Sequence, residues 1–318
     1  MSGLKIPAIT TLNRVVTASN LEAIKNINSP DVFFIRRKGE PKPFYLGVEL
    51  EYALTPNTFQ SANIVRHLGV SALSTEQMES EVRKELANLT PLCIRPMFPD
   101  QGNSELALHP CSFHALHDLK THLNETFFVL RNIGFTVDSY REAIGLHVSV
   151  DRTQVNQQTF ERIIRWMIAN SEIWTLLSNR RGFGTQKSDP QYLLGNWYRN
   201  WKPKQVQHKL DELIRLGSYS YSTWLDADVI GIRLYRTRPY IQFTHFGSTL
   251  ETDTFLSCVQ LVHGLVTFCQ TNNSLEIGKF LEFLQENSFM YQELRNRLAL
   301  VAELLPEGKN LGPNVSFF

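Results

Sequence analysis

The stretch Phe44 to Leu54, centred on Gly47-Val48-Glu49-Leu50-Glu51-Tyr52, limits the fold more than any other part of the chain. Its apolar and acidic residues alternate with period two. As a strand it therefore sends Val48, Leu50 and Tyr52 to one face and Glu49 and Glu51 to the other. The apolar face calls for a cover, which helices could supply. The opposite face has to carry two neighbouring carboxylates, which repel each other unless positive charge lies between them. Hard cations such as Mg²⁺ take oxygen ligands of this kind and keep waters or substrate phosphates as well. The plain reading is a solvated face, with each Glu paired to Lys or Arg across the sheet.

Two further segments bear on that choice. Gly145-Leu146-His147-Val148-Ser149-Val150-Asp151 alternates in the same way, with Leu146, Val148 and Val150 on a buried face and His147 and Ser149 together on the other. A histidine so placed either contacts a phosphate or metal, or is hydrogen-bonded at the sheet surface. Asn103-Ser104-Glu105-Leu106-Ala107-Leu108-His109-Pro110 opens a short strand with one acid and is stopped by Pro110. Glu105 gains meaning if it joins the face that carries Glu49 and Glu51.

Composition sets the outer limits. The chain has 318 residues, 42% hydrophobic and 20% charged, enough to bury a substantial core and too apolar for general disorder. Its 32 basic and 31 acidic residues leave a formal net charge of +1, so bulk electrostatics demand neither nucleic acid nor a membrane surface. Cys93, Cys111, Cys258 and Cys269 show no Cys-x-x-Cys spacing and read as reduced, mostly buried thiols. The first residues lack the apolar stretch of a secretory signal, and the apolar run from Cys258 to Cys269 is interrupted by Gln260, His263 and Gly264. A cytoplasmic protein with no membrane partner is expected.

Residues 1–40 read as an N-terminal arm ending in the basic run Arg36-Arg37-Lys38. Residues 41–318 read as one α+β domain whose last part, from about 271, is helical. Helices are expected from Thr75 to Leu89, from a cap at Ser112 to about Ile133, and from Gln158 to Leu177. Two more are expected, Thr252 to Gln270 and Leu275 to Leu305, the second broken near Asn287. Further strands are expected at Phe135 to Ser139, Ala143 to Asp151, and Val229 to Phe246 with a turn at Pro239. Apparent hairpins favour antiparallel pairing. Ser178 to Lys204 is long and aperiodic, as lids and binding loops are.

Taken in order, Gly-x-Glu-x-Glu, Glu-Leu-x-x-x-Pro and Gly-x-His-x-x-x-Asp resemble the amidoligase family, related to glutamate–cysteine ligases and glutamine synthetases. The similarity runs from about Phe44 to Gln270. It implies a curved antiparallel sheet of the glutamine-synthetase-like type, with helices on its back and an ATP–Mg²⁺ site on its concave face. It implies an ATP-dependent carboxylate–amine ligase acting on peptide or amino-acid carboxylates and amines. Carried over by position, Glu49, Glu51 and Glu105 would bind metal, His147 and Ser149 would lie near the nucleotide, and Arg180 and Arg181 would bind phosphate or substrate.

The pattern departs from the family late in the chain. Where the family has Ile-Glu-Phe-Arg, this sequence has Ile241-Gln242-Phe243-Thr244, and Ser149 stands where a second histidine is frequent. Gln242 still offers a carbonyl oxygen to a cofactor but no charge, and Thr244 cannot clamp a phosphate as Arg does. Arg233, on the preceding strand, is placed to take the catalytic arginine's part. The alternative is a catalytically degenerate module of the same fold, serving binding or assembly, as a homo-oligomer or within a larger complex.

Other features read as structural. His114 and His117 share a helix face without a completing ligand. The aromatics and bases from Trp197 to Lys204 suit an anchored loop better than a base-stacking platform.

Overall fold

The computed structural model describes residues 15–20, 33–53, 93–97, 103–132, 136–137, 145–170, 173–174, 177, 232–234 and 240–303. The chain divides into two compact units, 1–147 with 248–255, and 148–247 with 256–318. The architecture is α+β.

In the first unit the strands are β1 (Val15–Thr17), β2 (Phe34–Arg36), β3 (Tyr45–Ala53), β4 (Cys93–Met97), β5 (Asn103–Leu108) and β6 (Cys111–Ser112), with the start of β7 (Gly145–Asp151). Their order is β1-β2-β6-β3-β7, with β5 also paired to β3 and β4 to β5. The expected strand over 44–54 appears as β3, one residue shorter at each end. Its predicted alternation holds: Leu46, Val48, Leu50 and Tyr52 are buried, while Tyr45, Gly47, Glu49 and Glu51 are only half-buried.

The sheet is open and mixed, which corrects the antiparallel expectation. β3 pairs antiparallel with β5 and β6, and β4 with β5, but β1 with β2 and β2 with β6 run parallel. Both parallel pairs involve strands from the stretch read as an arm. Parallel neighbours need long connections, so they leave no hairpin signal in the sequence.

The segment 33–40 is tied down by specific bonds. The Ile35 amide donates to the Pro110 carbonyl (2.8 Å) and the Phe33 amide to His109 Nδ1 (3.2 Å). Gly39 takes φ +79° in the turn before β3, a conformation that suits glycine. Arg37 forks onto Asp118 through Nε (2.7 Å) and Nη2 (2.5 Å). Both partners are more than a third exposed, so the pair adds at most about 1 kcal/mol.

Two helices follow β6, α1 (Phe113–Asp118) and α2 (Lys120–Asn132), where one was expected. Ser112 caps α1 as read, its hydroxyl accepting from the Ala115 amide. The interruption is a single residue. Leu119 leaves helical geometry, although its amide still bonds to the Ala115 carbonyl and its carbonyl to the Leu123 amide. Thr136 forms an isolated bridge within the strand expected at 135–139. The helix expected over 75–89 and the lid segment 178–204 lie outside the described residues.

The second unit holds the rest of β7, α3 (Gln157–Ala169), β8 (Ile232–Leu234), β9 (Tyr240–Gly247), α4 (Thr252–Thr271, from Leu256 on), α5 (Ile277–Glu286) and α6 (Gln292–Glu303). Its strand order is β7-β9-β8, and β8 pairs antiparallel with β9, Arg233 standing opposite Gln242. Asn156 caps α3 by accepting from the Thr159 amide (2.8 Å), and Phe160, Ile163, Ile164 and Met167 are buried at the predicted helical spacing. The break expected near Asn287 separates α5 from α6. Gly264 of α4 lies against the Tyr291 ring, where an added Cβ would come to 3.3 Å.

Cys111, Cys258 and Cys269 are buried free thiols, as expected. Burial raises all three pKa values, that of Cys258 to about 11. Among the described residues no helix is long and apolar enough to cross a membrane.

His109 makes stability depend on pH. Burial pushes its imidazole down from 6.5 to about 4, and Nδ1 accepts a hydrogen bond that a proton would abolish. The depressed folded-state value means the contribution is complete above pH 6.5 and is lost as pH falls through about 4. We expect urea unfolding to show a loss on the order of 2–3 kcal/mol between pH 7 and 4.5. In His109→Gln that sloping component should disappear.

Candidate metal centre

The acidic residues meet because of strand register. β3 and β5 pair antiparallel with Glu51 directly opposite Glu105 and Glu49 opposite Ala107. Cross-strand partners share a face, so all three carboxylates belong to the half-buried side of β3. β7, next to β3 in the sheet order, brings His147 to the same place.

One donor atom each from Glu49, Glu105 and His147 lie within 4.8 Å of one another. His147 Nδ1 is 3.7 Å from Glu49 Oε2, and Nε2 is 3.7 Å from Glu51 Oε1. Both distances are too long for hydrogen bonds. Octahedral ligands at about 2.1 Å from a cation stand roughly 3 Å apart when adjacent and 4.2 Å when opposite. Donors of Glu49, Glu105 and His147 that all lie within 4.8 Å of one another are close enough together to share one cation.

The donor chemistry fits a divalent ion that also takes solvent or substrate oxygens. The side chains of Glu49 and Glu51 are 24% and 23% exposed, so outside oxygens can reach them, while the His147 side chain is only 6% exposed. Two carboxylates suit Mg²⁺, and an added imidazole also suits Mn²⁺. Glu51 has a different set of contacts. Its Oε2 accepts from the Gly145 amide (2.7 Å), and its backbone carbonyl accepts from Ser248 Oγ.

The remaining residues singled out from sequence belong to the second unit. Ser149 on β7 and Gln242 on β9 are buried in the second unit, as is Thr244. The backbone of Arg233 is placed by β8, while its side chain, with Arg180 and Arg181, lies outside the described residues. The reading of His147 and Ser149 as a surface pair needs one amendment: every residue from Gly145 to Val150 is buried, so both faces of β7 are covered.

Sequence reasoning did not find the contact between Glu51 and Gly145, nor the placement of His147 between two acids. Strand parity gives a face, but not which strands are neighbours. His114 and His117 are half-buried on α1, and His122 is exposed on α2.

Like charges set directly across a strand pair destabilise a sheet. Glu105→Gln should therefore raise stability in EDTA by about 0.5–1 kcal/mol. With millimolar Mg²⁺ or Mn²⁺ the order should reverse, because wild type then gains binding energy that the variant forgoes. Thermal melts of both proteins, with and without the ion, check this.

Comparison with models of known protein families and with curated proteins finds no match.

Proposed function

We propose that this protein is an ATP- and Mg²⁺-dependent carboxylate–amine ligase of amidoligase type, making an amide or isopeptide bond. The observation that carries the reading is the convergence of Glu49, Glu105 and His147 beside Glu51 on one sheet face. The order of the three motifs contributes the link to ligase chemistry.

The reaction makes sense of the residues. A carboxylate does not acylate an amine near neutral pH, because its oxygen is a poor leaving group. One carboxylate oxygen of the substrate attacks the γ-phosphorus of ATP; an O–P bond forms, the bond to the bridging oxygen breaks, and ADP leaves. The amine nitrogen then attacks the acyl carbon, loses a proton to a base, and the tetrahedral adduct expels phosphate. A bound divalent ion offsets charge on the transferring phosphoryl group. Glu49, Glu105 and His147 would hold that ion, with Glu51 beside them. Glutamates a quarter exposed leave room for phosphate oxygens on the open side. The resemblance alone assigns Ser149, Gln242, Arg233, Arg180 and Arg181 to nucleotide and substrate.

A second reading has its own observation. Gln242 and Thr244 are 1% exposed and neutral where the family pattern has a glutamate and an arginine. A module that kept the fold and lost phosphoryl transfer, acting in binding or assembly, would tolerate both.

Calorimetry separates the two readings. ATP titrated with Mg²⁺ into wild type should bind, and binding should weaken by at least about 100-fold in Glu49→Gln/Glu105→Gln, since even outer-shell partners of a metal are worth about 10–100-fold. Folded wild type that binds no nucleotide would leave the binding module as the reading.

A further inference from the structure

We propose that Arg36, with Tyr45 beside it, is an anchor for a carboxylate remote from the candidate cation site. The substrate is then a peptide-sized acid with a carboxylate at each end, one reacting at the cation and one held by Arg36. The inference rests on the ligase reading of the site and adds its substrate class.

Strand parity and register put both residues on the acidic face. Ile35 and Leu46 are each partnered with Cys111, and the three form one buried row, at most 1% exposed. Arg36 follows Ile35 and Tyr45 precedes Leu46, so both turn to the opposite face, the one that carries Glu49 and Glu51. The Phe34 ring, which shares the parity of Arg36, meets the Tyr45 ring edge-on with centroids 5.1 Å apart, in keeping with one common face. The open side of β3 therefore runs from Tyr45 past Gly47, which has no side chain to fill the gap, to Glu49 and Glu51. Strand geometry puts about 14 Å between Tyr45 and Glu49. All of these residues belong to the first unit.

The chemistry at the Tyr45 end suits a carboxylate. Arg36 is exposed, and among the described residues its guanidinium has no hydrogen-bond or ion-pair partner. The same holds for the Tyr45 hydroxyl. Glu40, the acid nearest to Arg36 in sequence, is engaged elsewhere: its Oε2 accepts from Ser112 Oγ (2.5 Å) and from the Arg37 amide (3.3 Å). Arg37 is held in turn by Asp118. Burial raises the Tyr45 pKa, and the nearby Arg36 charge acts against that rise. A planar guanidinium forks onto a carboxylate, and a phenol can donate a further hydrogen bond. Phosphate oxygens that share an ion with Glu49 stand within about 4 Å of its other ligands and do not reach Arg36. An extended peptide of roughly four residues does span the distance.

Dodecanedioate, a symmetrical diacid long enough to reach both ends, is the probe, and its monoamide is the control. Each is titrated calorimetrically into the full chain with Mg²⁺ and a non-hydrolysable ATP analogue present. Wild type should bind the diacid at least about tenfold more tightly than the monoamide, the usual worth of a hydrogen bond to a charged group. Arg36→Ala should bring the two affinities together and Tyr45→Phe should narrow the difference. Both variants should bind Mn²⁺ and the ATP analogue as wild type does. No preference for the diacid in wild type, or a preference that survives Arg36→Ala, would overturn the proposal. So would an Arg36→Ala variant that loses the ATP analogue and keeps the diacid, since the anchored group would then be a nucleotide phosphate. If Arg36→Ala fails to fold, Arg36→Gln serves for the same comparison. Wild type that binds neither Mn²⁺ nor the ATP analogue overturns the ligase reading and the proposal with it, a failure distinct from lost diacid selectivity in a protein that binds both.

Discussion

The register that pairs β3 with β5 brings Glu49, Glu51 and Glu105 onto one face, and the candidate site in the first unit depends on it. The pairing that sets Glu51 opposite Glu105 also buries Leu50 against Leu106 on the reverse side. Shifting the register by one residue would separate the acids but turn the apolar faces to water. Burial of Leu46, Val48, Leu50 and Tyr52 thus holds in place an acidic face that electrostatics alone would disperse. His147 and the Gly145 amide are what β7 contributes toward balancing it.

Such a face is costly as structure and useful as chemistry. Proteins concentrate like charge where an ion or a substrate supplies the opposite sign, and the stability forgone there is recovered on binding. At a bound ion the quarter-exposed carboxylates and the buried imidazole would divide the work. The acids offer oxygens that solvent and phosphate can also reach, while the ring is fixed in direction. That division favours a divalent ion shared with a phosphorylated substrate over a closed structural site. It is also the property that the proposed ATP-dependent ligase would use.

Local pattern made much of this legible in the sequence. The alternation over 44–54 became β3, Ser112 lies at a helix start, and the C-terminal helices break near Asn287. Parity alone placed Glu49 and Glu51 together. What escaped was non-local. The strands at Val15 and Phe34 pair in parallel through long connections, and no hairpin turn announces them. Glu105 could not be assigned to the acidic face until the β3–β5 register was known, and the same holds for His147 between its two acids. Leu119 interrupts a helix whose periodicity continues through it, so composition carried no sign of the break. The neutral residues Gln242 and Thr244 were visible as departures, and their near-complete burial is the part that structure added.

Diffraction from crystals grown with Mn²⁺ and a non-hydrolysable ATP analogue tests the central claim most directly, with data collected at the manganese absorption edge. The expected result is an anomalous peak bonded to Glu49, Glu105 and His147 at roughly 2 Å, with phosphate oxygens completing the shell. A map with no peak there, and His147 instead hydrogen-bonded to Glu49 and Glu51 as a simple ion pair, would contradict it.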